Sequence, residues 1–136
     1  MVTDMITAVY TDDLERSKRF YVELLDLEVI FDSDWAVQLS SPANDSVNLT
    51  LQPRSHELIP QEFRKAPQGF SIAFVVPDCD QIYQRALSMG LTIVMAPRNE
   101  EYGQRRFLTV DPSGVLLDIS ADCEPSEAFM QKYMSL

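Results

Sequence analysis

The chain has a single histidine, His56, among 136 residues. That scarcity excludes a two-histidine, one-carboxylate iron site built from one chain. It has two cysteines, Cys79 and Cys123, at no metal-ligand spacing. Both read as free thiols rather than as a disulfide framework. It lacks any run of about 18 apolar residues, so nothing in it is expected to span a membrane. It lacks a basic surplus: the formal charge is −10. A phosphate backbone needs a basic face, so nucleic acid is excluded as a partner. The start, MVTDMITAVYTDD, has neither the basic nor the apolar region of a secretion signal, which places the expected location in the cytoplasm.

What is present is ordinary globular material. Apolar residues make up 46%, with eight prolines and four glycines. This length suits one domain, or two small halves sharing a core.

Periodicity divides the chain. Met5–Tyr10 reads as a strand. A helix follows, started by Asp12 with Glu15 in a capping-box pattern, or by Asp13. Leu14, Ser17, Phe20, Tyr21, Leu24 and Leu25 form its buried stripe, and Asp26 takes the left-handed position that ends it. Glu28–Asp32 and Trp35–Ser40 are strands, Ser41–Ser46 is a loop, and Val47–Gln52 alternates cleanly. Along it Asn48, Thr50 and Gln52 face away from Val47, Leu49 and Leu51. Residues 54–68 form a proline-bracketed connector, with a helical turn at Gln61–Lys65.

The pattern then restarts. Phe70–Val76 is a strand. Pro77-Asp78 opens a helix with Ile82, Ala86 and Met89 inward, and Gly90 ends it. Thr92–Ala96 is a strand and Pro97–Gly103 a loop. A hairpin, Phe107–Ser120, turns at Asp111-Pro112-Ser113-Gly114. A last short helix begins at Pro125 and presents Phe129, Met130 and Tyr133. Asp13 answers to Asp78 and Leu27 to Leu91. The chain is thus α+β, with strand-helix-strand-strand-strand twice: a first module at about 4–53, a second at about 69–121, and a tail at 122–136. All of it is read as a single domain.

These residues resemble a known family. Thr11–Tyr21 (TDDLERSKRFY) followed by Leu25-Asp26-Leu27 is similar to the opening signature of the vicinal oxygen chelate superfamily, the glyoxalase/bleomycin-resistance/dioxygenase group. Val76–Asp80, Met89-Gly90-Leu91, Tyr102–Phe107 and Asp111–Gly114 are similar to the matching parts of the second module. The resemblance implies paired βαβββ modules forming a U-shaped mixed sheet around a cleft, with helices outside. It also implies a homodimer, sometimes with modules exchanged.

In metal-using members, four cleft-facing positions carry His, Gln or Glu. They fall here on Ile6, Asn48 (or Thr50), Ser71 and Asp118. Only Asp118 is a good ligand, and a glyoxalase-type centre needs three or four. The resemblance therefore points away from dioxygenase and metal-dependent glyoxalase chemistry. No cofactor and no metal ligand are expected. The expected partner is a small organic molecule, bound or sequestered in the cleft, and the acidic balance suits a cationic one. The alternatives are a lyase, isomerase or glyoxalase-like enzyme with a non-standard site, and a non-catalytic interaction module.

The candidate residues each have a plainer reading. Asp118 is a ligand-binding anion or general base, or a wet carboxylate at the cleft mouth. Arg105 and Arg106 point to opposite faces. One meets Asp118 and holds the hairpin, or grips a ligand anion. Trp35 stacks on a flat ligand or packs between modules. Tyr102 is a rim residue, and Glu100 and Glu101 beside it add negative potential to that rim. Asn48, Thr50 and Ser71 line the cleft. His56 is an acid–base group or a solvated linker residue. Cys79 is a thiol activated by a helix N-terminus, or a small buried apolar residue.

Overall fold

A computed structural model of the chain describes residues 1–134. The last two residues of the expected tail, 135 and 136, lie outside the described residues. The fold is α+β, and the βαβββ order occurs twice. The chain divides into two compact units. One is residues 1–69 with Asp111–Val115, and the other is Phe70–Val110 with the chain from Leu116 onward.

In the first unit, β1 (Thr7–Thr11) leads into α1 (Leu14–Leu25), then β2 (Glu28–Asp32), β3 (Val37–Ser41) and β4 (Asn44–Pro53). The sheet order is β1-β4-β3-β2, with β1 parallel to β4 and the other pairs antiparallel. Asp13, not Asp12, caps α1: its carboxylate accepts from the Arg16 amide at 3.0 Å. Asp26 ends the helix at φ 54°, a conformation Asp tolerates better than most residues. Phe20, Tyr21 and Leu24 of α1 are buried, as are Val9, Leu39 and Leu51 of the sheet. Ser17 sits inside that stripe because its hydroxyl shares a 2.7 Å hydrogen bond with Thr11. The 41–46 loop is shorter than expected. Asn44 Oδ1 accepts from the Ser46 amide and Ser41 Oγ from the Ala43 amide. These tighten the turn enough for Asn44 to pair with Ser41. The connector holds one 3₁₀ turn, Gln61–Phe63.

In the second unit, β5 (Ser71–Val75) leads into α2 (Cys79–Ser88), then β6 (Ile93–Glu100), β7 (Gln104–Val110) and β8 (Leu116–Asp122), in the order β5-β8-β7-β6. β5 is parallel to β8, and β6 and β8 are antiparallel to β7. Asp78 caps α2, accepting from the Gln81 amide at 3.2 Å. Gly90 follows the helix at φ 70°. Ile82, Ala86, Phe107, Leu117 and Ile119 make the buried layer, and Tyr83 meets Phe107 edge-on at 5.4 Å.

Two expectations fail here. The 97–103 loop is mostly strand: β6 continues through Pro97 to Glu100. It does so as an edge strand with register shifts on either side of Met95, where the missing amide hydrogen disturbs no ladder. The last helix, α3 (Glu127–Tyr133), starts after Pro125, with Ser126 as cap. Its expected contact face is only partly covered: Phe129 is half-buried, while Met130 and Tyr133 are exposed.

Candidate functional site

Strand alternation sets the geometry of the second unit. Asp118 is the cross-strand partner of Ala73 on β5 and Leu108 on β7, and Ser120 is the partner of Arg106. Ser71, Arg106 and Asp118 therefore share the face turned away from α2. Arg106 stands diagonal to Asp118, and its Nη1 donates to Asp118 Oδ2 at 3.2 Å. Its Nη2 donates to Glu100 Oε2 at 3.3 Å, and Glu100 also pairs with Arg98. The three central side chains, Arg106, Glu100 and Asp118, are 19%, 14% and 21% exposed. Burial works against the Arg106 charge, but Asp118, Tyr102 and Glu100 outweigh it and raise its pKa. Glu100 is held below the ordinary carboxylate value, chiefly by Arg98.

Two atoms of this cluster stay open. Asp118 Oδ1, an acceptor, and Arg106 Nε, a donor, are buried without a hydrogen-bond partner among the described residues. A buried polar atom without a partner is costly, so such atoms mark a place for a ligand or water.

Arg105 lies on the other face. Its Nε and Nη2 donate to both carboxylate oxygens of Asp80 on α2, at 2.9 and 3.0 Å, and Nη1 reaches Asn99. As a helix-to-sheet clamp it does not belong with the ligand candidates. Tyr102 occupies the tight turn between β6 and β7 and is exposed. Cys79, at the first position of α2, is 2% exposed. Burial, then Asp80, raises its pKa, so the helix N-terminus does not activate it.

In the first unit, Asn48 pairs with Ser40 and Thr50 with Gln38, on the face away from α1. Ile6 precedes β1 and is exposed. Trp35 sits in the turn before β3. Its ring meets Phe31 edge-on at 5.7 Å and tilts against His56 at 6.4 Å. His56 Nδ1 accepts from the Leu58 amide at 3.1 Å, which occupies that nitrogen's lone pair.

The donor set bears on the metal expectation. Asp118 is already paired with a guanidinium, and Ile6, Asn48 and Ser71 supply neither carboxylate nor imidazole. Among the described residues, no three His, Cys, Asp or Glu side chains converge. The residues present do not fit a divalent metal centre. Sequence reasoning placed Glu100 only at a rim and passed over Gln38 and Ser40. Their alternation with Val37 and Leu39 was the available signal.

The sequence model of the Glyoxalase/Bleomycin resistance protein/Dioxygenase superfamily matches residues 4–119. A member of that superfamily from Sphaerobacter thermophilus DSM 20745 is similar in structure, with TM-score 0.73 and 22% identity over 90% of this chain and 98% of that one. A lactoylglutathione lyase from Agrobacterium tumefaciens is similar with TM-score 0.68 and 18% identity, covering 89% and 95%. A fosfomycin resistance protein from Listeria monocytogenes is similar with TM-score 0.69 and 15% identity, covering 89% and 94%. No curated protein matches the sequence.

Proposed function

The chain belongs to the glyoxalase/bleomycin resistance protein/dioxygenase superfamily, and we propose that it binds or sequesters a small organic molecule without a metal ion. The Arg106–Asp118 pair carries this reading. Asp118 stands at the one position of the family's metal set that keeps a carboxylate, and Arg106 neutralises it. A divalent cation would have to displace a guanidinium there, and the neighbouring carboxylate, Glu100, is itself paired with Arg98 and Arg106. The pair also leaves no net negative charge at this point, so a cationic ligand gains nothing from Asp118. What remains is a directional device. Asp118 Oδ1 accepts and Arg106 Nε donates, and both lack partners. A neutral molecule with an adjacent donor and acceptor satisfies both.

The names of the lyase and the fosfomycin resistance protein support a small-molecule role. An enzyme with a non-standard site is the second reading. It takes support from the open Asp118 Oδ1, which is available to receive a proton. The homodimer, the cytoplasmic location and the single-domain organisation belong to the same proposal.

The test is equilibrium dialysis of chelator-treated protein against bleomycin and a panel of planar organic compounds. The reading requires saturable binding of at least one compound by metal-free protein, weakened roughly tenfold or more in Arg106→Gln or Asp118→Asn. Binding that appears only after Zn²⁺ or Ni²⁺ is added contradicts it, as does the absence of any saturable binding.

A further inference from the structure

We infer that the face of the first sheet turned away from α1 seats an uncharged aromatic amide. The inference rests on the small-molecule reading above and names the chemical class. Register places Gln38, Ser40, Asn48 and Thr50 together on this face, with Gln52 next along β4. Ser40 and Thr50 are only 5% and 9% exposed. Asn48 has a long contact to Asp4, at 3.4 Å. Gln38, Ser40, Thr50 and Gln52 have no side-chain hydrogen bond among the described residues. Each of these side chains both donates and accepts. Whatever covers the face has to satisfy them, because a covered polar group left unpaired is costly.

The second observation is charge. Among the strand positions of this face Glu28, opposite Ser40, is charged, and Asp4 stands against Asn48, both at its Asn48–Ser40 end. Beyond Gln52 the Arg54–Asp12 ion pair follows, and His56 lies against Trp35. The Thr50–Gln38 row carries none, so an ion seated there would lose hydration with no counter-charge.

The third observation is the wall. Phe31 is the cross-strand partner of Gln38, and Trp35 packs edge-on against it. They are 41% and 40% exposed. Exposed aromatic faces beside neutral hydrogen-bonding groups suit a flat ring carrying a polar, uncharged substituent. A carboxamide fits the glutamines best, because two amides pair donor to acceptor at two points.

The experiment uses the full chain, labelled with ¹⁵N, and three probes of one shape and three charges: benzamide, benzoate and benzamidine. The readouts are the side-chain amides of Gln38 and Gln52 and the indole of Trp35, the only tryptophan. The formal charge of −10 alone would rank the probes benzamidine, benzamide, benzoate. The inference predicts that benzamide binds first, by roughly tenfold over either ion. Gln38→Leu and the near-isosteric Thr50→Val should each weaken benzamide about threefold or more, with the thermal midpoint unchanged. Ranking by charge overturns the inference. So do resonances that stay still with all three probes, or benzamide binding untouched by both variants. If the dialysis panel still shows metal-free binding, only the amide class is lost. If it shows none, the small-molecule reading falls as well.

Discussion

The Tyr21 hydroxyl donates to Asp111 Oδ2 at 2.6 Å, across 90 residues of sequence and inside the first unit. The other carboxylate oxygen of Asp111 accepts from the Ser113 and Val115 amides, so one side chain orders the turn and anchors it to α1. Burial, then the Asp111 charge, pushes the Tyr21 pKa well above its ordinary value, so the phenol remains a donor. Tyr21→Phe should cost about 1.5–3 kcal/mol, the range for a hydrogen bond to a charged group. Asp111→Ala should cost more, because it strands a hydroxyl and two amides. Urea denaturation checks both, and equal costs would contradict this account of the turn.

Gly103 and Gly90 both have positive φ, at 101° and 70°, yet their surroundings differ. A Cβ on Gly103 would stand 2.9 Å from Pro125 Cγ and 3.2 Å from the Cys123 carbonyl oxygen. One on Gly90 would meet nothing within 4 Å. Gly90→Ala should cost about 1–2 kcal/mol from backbone strain alone. Gly103→Ala should cost more, since Pro125 and the start of α3 must shift. Thermal denaturation of the two variants ranks them, and the reverse order would contradict the packing described.

Cys79 and Cys123 should react differently. The Cys79 thiol is buried, its pKa is raised, and its Sγ lies 3.5 Å from the Ile119 carbonyl oxygen. Cys123 is half-buried. Iodoacetamide should label Cys123 in the native protein and reach Cys79 only on unfolding. Mass spectrometry of the labelled peptides decides it, and prior labelling of Cys79 would contradict the burial of α2.

Acid should weaken the second unit's ion pairs. Arg105 holds the Asp80 pKa down, and Arg98 does the same for Glu100. A carboxylate with a depressed folded pKa stabilises the fold above its unfolded pKa. That contribution fades as pH falls through the ordinary carboxylate range to the folded value. Arg105→Gln should therefore lower the neutral plateau by a small amount, because the pair is solvent-exposed, and flatten the acid limb by that same amount, so that the two curves converge at low pH. Equal acid limbs in both proteins would contradict the clamp.

Much of the fold is readable in the residues themselves. The Asp13 and Asp78 caps, the left-handed Asp26 and the alternation of β4 are local signals, and local chemistry decides them. The second half of β6 was not readable, because Pro97 argues for a loop unless its strand is known to be an edge. The site was half readable. That Arg105 and Arg106 face oppositely follows from alternation. Which one meets Asp118 depends on a one-residue register between β7 and β8, which no local pattern encodes. Gln38 and Ser40 went unnoticed for another reason: a neutral polar residue on a strand draws attention only when its neighbours leave it unpaired.

The central claim is that Asp118 is held by Arg106 and not kept free for a metal. Isothermal titration of chelator-treated protein with Zn²⁺ and with Ni²⁺, repeated on Asp118→Asn, tests it most directly. The account predicts no stoichiometric binding of either ion and no difference between the two proteins. A one-to-one site present in the wild type and lost in Asp118→Asn would contradict it.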